Sequence, residues 1–309
     1  MRKEEFYFDS RDGKSKIHGV RYYPEQEKPR CVVQIIHGMA EYIERYEPFA
    51  RFLTDRGCIV IGEDHLGHGK SVQEGGTFGY FCEQDPATVV VRDVHRLKKM
   101  TQQLYPELPF LILGHSMGSF ILRNYLFRYG TGISGAIIMG TGMQPPALIA
   151  CSKALAAVQK LCFGPKHVSR LIDGAAFGAY NKRFREEKSS SAWLSRDAAQ
   201  TAKYDADPLC GFKFTVNGFQ TLFELIARVQ KKENLEKMPK DVPLLVVSGD
   251  EDPVGGYGKG VKRAYQSLLD VGMQKVSLKL FPGARHELLN ETNADEVMQE
   301  LWQWIEKIL

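Results

Sequence analysis

The segment PFLILGHSMGSFILRN, residues 109–124, decides the fold, because it passes from a strand pattern to a helix pattern around one serine. The apolar run ends at Gly114, and the helical pattern begins after Ser116. Gly114 and Gly118 flank the serine in a Gly-x-Ser-x-Gly pattern, which is typical of a nucleophile elbow. In so sharp a turn, a side chain at either glycine would collide with neighbouring elements. The segment therefore predicts an exposed, nucleophilic Ser116, with the backbone N–H of Met117 facing a developing oxyanion.

Similar apolar runs recur along the chain and alternate with helical patterns. They are CVVQIIHG, CIVIGEDHLG, PFLILGHS, ISGAIIMGTG and VPLLVVSGDED, and each ends in glycine and polar residues. Helical patterns cover about residues 45–56, 86–104, 116–129, 256–271 and 295–309. This alternation predicts a mostly parallel, doubly wound α/β sheet that is buried on both faces. Ahead of it, EEFYFDS and KIHGVRYY flank RDGKS and predict an antiparallel hairpin.

A serine hydroxyl is a weak nucleophile, so it needs a base, and the base needs an acid to orient it. With a nucleophile elbow, these residues follow in the chain order Ser, Asp, His. The run VPLLVVSGDEDPVGG ends in two candidate acids, Asp250 and Asp252, and the spacing leaves both open. The next run, LKLFPGARHELLNE, supplies His286 as the base. Because both loops follow parallel strands, we expect them at the same sheet edge as Ser116.

A second oxyanion donor is expected in the loop after an earlier strand. The run VVQIIHGMAEYIERY, residues 32–46, supplies it, with the N–H of Met39 as the donor. The pair His37 and Gly38 lets the backbone come close to the site. His37 itself precedes the serine in the chain, which is the wrong order for the base.

The composition narrows the function classes. The 309 residues carry a formal net charge of +4 with both signs interspersed, so we expect no nucleic-acid binding. No apolar run approaches the ~20 residues of a membrane span, and MRKEEFYFDS lacks a signal-peptide stretch. The six cysteines are scattered without a CxxC pair, which favours reduced thiols and a cytoplasmic location. Asp64, His65 and His68 in DHLGH give only a weak metal signal, so we expect neither a metal nor a cofactor.

These motifs resemble those of the monoglyceride lipase and lysophospholipase family of α/β-hydrolases, also described as serine aminopeptidase-like hydrolases. The likeness rests on HGMAEYIERY, DHLGHGKS, RDV, YPELPFLILGHSMGS, GDEDPV and RHELLNE, and it covers most of the expected core. It implies an α/β-hydrolase fold, with a mostly parallel sheet, helices on both faces and a helical cap insertion. It also implies a serine hydrolase that works without a cofactor.

The resemblance assigns roles to individual residues. Ser116 matches the family nucleophile and His286 its base. Asp252 matches the acid, because the family acid is the fourth residue of a G-x-x-D turn, here residues 249–252. The amides of Met39 and Met117 match the oxyanion donors. The residues expected around them are His37, Gly38, Glu41, Arg45 and His115, in which the Glu and Arg resemble a pair that braces the oxyanion loop.

The implied activity is hydrolysis of carboxylic esters, with single-acyl-chain lipids such as monoacylglycerol or lysophospholipid as the preferred substrate class. The chain departs from the family pattern at Ala40 and Ser119, where the family usually has glycine; both residues are small. Alternative hypotheses are a small-molecule carboxylesterase, for example for hydroxycinnamoyl esters, an aminopeptidase, and a non-catalytic binding protein on the same fold. The ester substrate is the expected partner, and the sequence indicates no particular oligomeric state.

One long connection predicts the cap. Residues 143–240 are too many for a loop and show no clear buried strand, so we expect core residues 1–142, a helical cap at 143–240 and core residues 241–309. In ALIACSKALAAVQKLCFG, residues 147–164, helical spacing predicts one apolar face, formed by Leu148, Cys151, Leu155, Val158 and Cys162. Two interpretations stay open: this helix covers the cap's own core, or it is a lid that lines an acyl tunnel or makes transient contact with a membrane surface.

Overall fold

The computed structural model describes residues 1–25 and 28–309, in which eight strands form one sheet. The strands are β1 (Arg2–Asp9), β2 (Lys16–Tyr23), β3 (Cys31–Ile36), β4 (Cys58–Glu63), β5 (Phe110–His115), β6 (Gly135–Met139), β7 (Leu244–Gly249) and β8 (Val276–Phe281). Their order across the sheet is β1-β2-β4-β3-β5-β6-β7-β8. β1 and β2 form the predicted antiparallel hairpin, and β2 also pairs antiparallel with β4. The pairings from β4 to β8 are parallel.

Helices cover both faces of this sheet. They are α1 (Glu47–Thr54), α2 (Pro86–Leu104), α3 (Met117–Tyr129), α4 (Pro146–Phe163), α5 (Arg170–Phe177), α6 (Ala198–Ala206), α7 (Val216–Val229), α8 (Lys232–Leu235), α9 (Lys259–Asp270) and α10 (Ala294–Glu306). Successive strand residues face opposite layers. Phe110 and Ile112 of β5 therefore pack with α2, α3 and α9, whereas Leu111 and Leu113 pack with α1 and α10. The predicted fold class, a mostly parallel α/β sheet between two helical layers, is confirmed.

Two predicted helices begin later than their periodicity indicates. The pattern at residues 45–56 opens with a 3-10 turn, Ile43–Tyr46, before α1. The pattern at residues 256–271 opens with a turn in which Gly256, Tyr257 and Gly258 have φ angles of 59°, 55° and 81°. A left-handed backbone cannot continue a right-handed helix, so α9 starts only at Lys259.

The connection between β6 and β7 holds α4 to α8, and β structure within it is limited to the isolated bridge between Val168 and Thr215. α4 packs against α7, and its buried residues are Ile149, Ala156 and Gln159. The apolar face that periodicity predicts is a different one, and Leu155 is its only half-buried member: Leu148, Cys151, Val158 and Cys162 are exposed. The helix therefore covers part of the cap's own core, as one interpretation held, but with the face that carries Ile149, Ala156 and Gln159 and not with the predicted one. The division of the chain at residues 142 and 240 stays a prediction.

Candidate active site

Ser116 occupies the sharp turn between β5 and α3. Its backbone is strained, with φ 55° and ψ −120°. A Cβ added at Gly114 would lie 2.4 Å from the carbonyl oxygen of Gly118, and one added at Gly118 would lie 2.1 Å from the carbonyl oxygen of Ile36. Backbone atoms cannot yield as a flexible side chain can, so only glycine fits at either position. The serine side chain is thereby held at the end of the strand, on the wall of a cavity.

His286 and Asp252 meet beside this cavity. Nδ1 of His286 lies 2.9 Å from Oδ2 of Asp252, a distance at which the ring N–H donates to the carboxylate. Asp252 is fully buried, and its other oxygen accepts the N–H of Val254 at 2.8 Å. Asp250 lies elsewhere: its Oδ1 accepts the N–H of Gly283 at 2.6 Å, which braces a turn. The structure thus places Asp252, and not Asp250, against the histidine.

The loop that carries Met39 lies directly over the nucleophile. A Cβ added at Gly38 would be 3.0 Å from Cβ of Ser116, and Met39 and Met117 line the same cavity as the serine. Ala40, which replaces a family glycine, has a φ of 52°, a left-handed conformation that alanine adopts at a cost. Its carbonyl oxygen accepts the N–H of Gly211 at 3.0 Å, which connects the loop to the segment between α6 and α7.

Buried charges hold this loop and the histidine together. Glu41 accepts the N–H of Gly38 and one N–H of Arg45, both at 2.6 Å. Arg45 also donates twice, at 2.7 Å each, to the carboxylate of Glu287, the residue after His286. Burial opposes ionisation of Glu41, but its hydrogen bond with His115 and the charge of Arg45 outweigh burial and hold the pKa of Glu41 well below its usual range.

His115, next to the nucleophile, joins the same network. Its Nε2 lies 3.2 Å from the carbonyl oxygen of His286, and its Nδ1 lies 2.9 Å from the hydroxyl of Tyr46 and 3.3 Å from Glu41. Burial favours a neutral ring, yet Glu41 raises the pKa of His115 above its ordinary value. The ring therefore connects the oxyanion loop to the backbone of the base.

His37 lies beneath the loop and does not reach the base position. Its ring stacks on His65 at a centroid distance of 4.1 Å and accepts the backbone N–H of His65 at 3.1 Å. Burial lowers the pKa of His37, His65 and His68, so the three rings are neutral. Among the described residues, the grouping that could hold a metal ion consists of Glu5, His18 and Glu44. It borders DHLGH, because Nδ1 of His18 lies 2.8 Å from Oδ2 of Asp64, and the ammonium groups of Lys3 and Lys70 already contact its carboxylates.

The cavity at Ser116 has a volume of about 390 Å³ and lies between the loops around Ser116 and His286 and the connection between β6 and β7. On one side Trp193 packs on the His286 ring at a centroid distance of 5.1 Å, and Tyr180 packs on Trp193 at 5.1 Å. Further apolar lining comes from Phe177, Phe212, Leu222 and Ile226 of the connection between β6 and β7. This connection therefore contributes most of the residues that line the cavity.

The fold, the elbow and the Asp–His pair define a class, the serine hydrolases built on an α/β-hydrolase core. A family model described as serine aminopeptidase, S33, matches residues 27–293, and the chain belongs to this family. The family resemblance predicted from the motifs is confirmed.

Several known proteins are similar to this chain. Monoacylglycerol lipase of Mycolicibacterium smegmatis is 30% identical over 281 residues, which cover 90% of this chain and 88% of that protein. Monoglyceride lipase of Homo sapiens is 29% identical, over 92% of this chain and 85% of that protein. A thermostable carboxyl esterase from Bacillus coagulans, solved with glycerol, superposes with a TM-score of 0.92 at 30% identity and covers 100% of this chain and 99% of its own. The protein is a serine hydrolase that acts on carboxylic esters.

Two parts of this site were not predicted from the sequence. The pairing of Arg45 with Glu287 spans 242 residues, and no local pattern connects them. The contact of Trp193 with the His286 ring depends on how the connection between β6 and β7 folds over the sheet edge. The available signal for the Arg45–Glu287 pairing was that Glu287 directly follows His286. The local hydrogen bond of Glu287 with Asn290, at 2.9 Å, does not by itself explain that position.

Proposed function

We propose that Ser116, His286 and Asp252 form the catalytic triad of this ester hydrolase. The observation that carries the proposal is the buried Asp252–His286 contact beside the cavity that Ser116 lines. As the serine oxygen attacks the acyl carbon, His286 takes its proton and the Asp252 carboxylate stabilises the imidazolium. The N–H groups of Met39 and Met117 hold the oxyanion. His286 then gives the proton to the leaving alcohol. Water next attacks the acyl-enzyme by the same proton transfers through His286, which releases the acid and restores Ser116.

The proposed substrate is a single-chain lipid ester, and monoacylglycerol is favoured over lysophospholipid. A cavity of about 390 Å³ with an aromatic and aliphatic wall suits an acyl chain. The charged side chains of its lining are already paired: Asp173 with Lys213 at 2.7 Å, and both Glu41 and Glu287 with Arg45. Such a site favours an uncharged headgroup. It also disfavours the aminopeptidase hypothesis, because a substrate ammonium group would need an unpaired carboxylate.

A small-molecule carboxylesterase is the second candidate. Two observations favour it: the similarity to the Bacillus coagulans carboxyl esterase, and the edge-to-face rings of Tyr180 and Trp193, which would accept an aromatic acid. Such a ring pair offers edge and face contacts to a hydroxycinnamoyl group. The two candidates differ in how activity depends on acyl length.

We also propose transient contact of the cap with a membrane surface. The outer side of α4 and the segment after it expose Leu148, Val158, Leu161, Phe163 and Leu171, of which Leu161 is 84% exposed. By length and composition alone α4 would suffice to cross a bilayer, the one such helix among the described residues, but partial burial against α7 fits surface contact better. The protein would then be cytoplasmic and bind membranes reversibly. Co-sedimentation with phosphatidylcholine vesicles should fall in Leu161→Ser, and equal sedimentation of both proteins would contradict the contact.

The test of the activity is a hydrolysis panel of p-nitrophenyl esters from acetyl to palmitoyl, with monoacylglycerol, lysophosphatidylcholine, trioleoylglycerol and methyl ferulate. We expect kcat/KM to rise with acyl length to a limit, and monoacylglycerol to exceed the others. Ser116→Ala is the control and should lose at least about 10⁴-fold in kcat. Activity confined to methyl ferulate, or highest on the acetyl ester, would reject the lipid substrate. Full activity of folded Ser116→Ala would reject the triad.

A further inference from the structure

Arg123 is a fully buried arginine that the proposed reaction does not use. It lies on α3, seven residues after Ser116, with none of its surface exposed. Within residues 1–25 and 28–309, its guanidinium forms no ion pair with a carboxylate. It contacts oxygens that carry no net charge. These oxygens are the carbonyls of Gly142 at 3.1 Å and Val229 at 3.2 Å, and the hydroxyl of Thr141 at 3.5 Å. Such a group is costly to bury, so its position calls for a physical reason.

The three oxygens lie on two segments of the connection between β6 and β7, one at its start and one at the end of α7. Thr141 and Gly142 belong to the segment between β6 and α4, residues 140–145, which we call the first stem. Val229 ends α7, and we call residues 229–231 the second stem. The stems also touch each other, because the N–H of Gln144 donates to the Gln230 side chain at 2.6 Å. One guanidinium on the nucleophile helix thus binds both stems of the cap at once.

Electrostatic interactions stabilise the contacts between Arg123 and the two stems. Burial lowers the pKa of Arg123 to about 10, which still leaves the guanidinium charged at neutral pH. The carbonyl of Val229 lies at the C-terminal, negative end of α7, where a cation is favoured. Hydrogen bonds from a charged donor are stronger than neutral ones, and they strengthen further in a medium of low dielectric constant. Loss of the guanidinium would leave two buried carbonyl oxygens without this partner.

The junction is in contact with the active site on two sides. Gln144 of the first stem lines the cavity, and its side chain donates at 3.4 Å to the carbonyl of Val254, whose own N–H binds Asp252. α7, which leads into the second stem, contributes Leu222 and Ile226 to the cavity wall. A shift of the stems would therefore move the apolar wall relative to Ser116.

We propose that Arg123 is a specificity-determining positioning residue, which clamps both cap stems to the nucleophile helix and so holds the apolar wall where a long acyl chain needs it. The inference rests on the proposed function in one respect: it takes the cap wall as the binding surface of the acyl chain. A small ester needs little of that wall, so its hydrolysis depends much less on the clamp.

The test compares Arg123→Met and Arg123→Lys with wild type, well below each protein's melting temperature. For Arg123→Met, we expect kcat/KM for p-nitrophenyl laurate to fall about tenfold, mainly through KM, with p-nitrophenyl acetate changed by less than about threefold. Lysine keeps the charge but lacks the planar fork, so Arg123→Lys should lie between the two. Arg228→Met is the matched control. The side chain of Arg228 also links α7 to the core, through Thr88 and Asp85, but it is far less buried and contacts neither stem. Its laurate-to-acetate ratio should stay within about twofold of wild type.

Hydrogen exchange gives a readout that needs no substrate. Amides of residues 140–145 and 226–231 should exchange faster in Arg123→Met and at the wild-type rate in Arg228→Met. The proposed role of Arg123 is overturned if the laurate-to-acetate ratio or the exchange at the stems is unchanged in Arg123→Met. An equal loss of activity on both esters would mean that Arg123 is purely structural, and it would overturn the proposal as well. If Arg123→Met does not fold, Gln230→Leu, which removes the direct contact between the stems, should lower the ratio about threefold, and no change would count against the inference. A wild-type enzyme without preference for laurate would refute the lipid substrate, while exchange would still decide the clamp.

Discussion

Replacing Asp252 by asparagine gives the sharpest test of the proposed triad, because the structure dictates how the new amide must point. The carboxylate accepts the N–H of Val254 on Oδ1 and contacts Nδ1 of His286 with Oδ2. In Asp252→Asn, the amide oxygen must face the N–H of Val254, since the reverse orientation would set two donors against each other. The amide NH₂ then faces the histidine and favours the ring tautomer whose Nε2 carries the proton. Such a ring cannot accept the proton of Ser116.

The expected loss in kcat is about 10⁴-fold, the size seen when an orienting acid becomes an amide in a serine hydrolase. At about 1.36 kcal/mol per tenfold, this corresponds to roughly 5.4 kcal/mol of transition-state stabilisation. Asp250→Asn is the matched control, because Oδ1 of Asp250 only accepts the N–H of Gly283 and an amide oxygen can do the same. Its kcat should stay within about threefold of wild type.

The assay is steady-state hydrolysis of p-nitrophenyl butyrate by both variants, with circular dichroism and thermal melting to establish that each is folded. The reaction rate with a fluorophosphonate probe should follow kcat, because both depend on activation of Ser116. The assignment fails if Asp252→Asn keeps more than about a tenth of wild-type kcat, or if Asp250→Asn is the more damaged variant.

Three further predictions concern the supports of the site. Gly118→Ala should lower stability by more than about 3 kcal/mol in chemical denaturation, since its Cβ would lie 2.1 Å from the carbonyl of Ile36; an unchanged midpoint would contradict this. Glu287→Gln should cost about 3 kcal/mol, because it weakens the buried pairing of Arg45, and it should lower kcat as well; wild-type values for both would count against the network. Burial lowers the pKa of His68 to about 3, so the fold keeps it neutral while the unfolded chain protonates it below about 6.5. Stability should therefore fall by roughly 2 kcal/mol from this residue between pH 7 and pH 5, and His68→Gln should lack that part of the loss.

Elements defined by local chemistry were predictable from the sequence. The elbow at Ser116 was predictable, because a turn with no room for side chains at two positions requires glycines at a fixed spacing. The exact limits of α2 were also predicted, since Pro86 marks its first turn and apolar periodicity sustains it to Leu104. The start of α9 was not predictable, because periodicity cannot reveal that Tyr257 adopts a left-handed backbone between two glycines.

Parts that depend on distant contacts were not predictable. The spacing of Asp250 and Asp252 could not decide between them, and the choice came from the family resemblance. In space the decision rests on which carboxylate meets a histidine 34 residues later in the chain. The Glu41–Arg45–Glu287 network likewise joins two loops that only the parallel sheet brings to one edge.

The exposed face of α4 shows that apolar periodicity alone does not identify which face of a helix is buried. Apolar residues at helical spacing indicate a face that avoids water, but they do not name what covers it. α4 buries Ile149 and Ala156 on its α7 side, and this leaves Leu161 and Phe163 outside. Each such side chain would contribute roughly 1.5–3 kcal/mol if it left water. The core of this chain does not gain that free energy, and the proposed contact of α4 with a membrane surface would account for it.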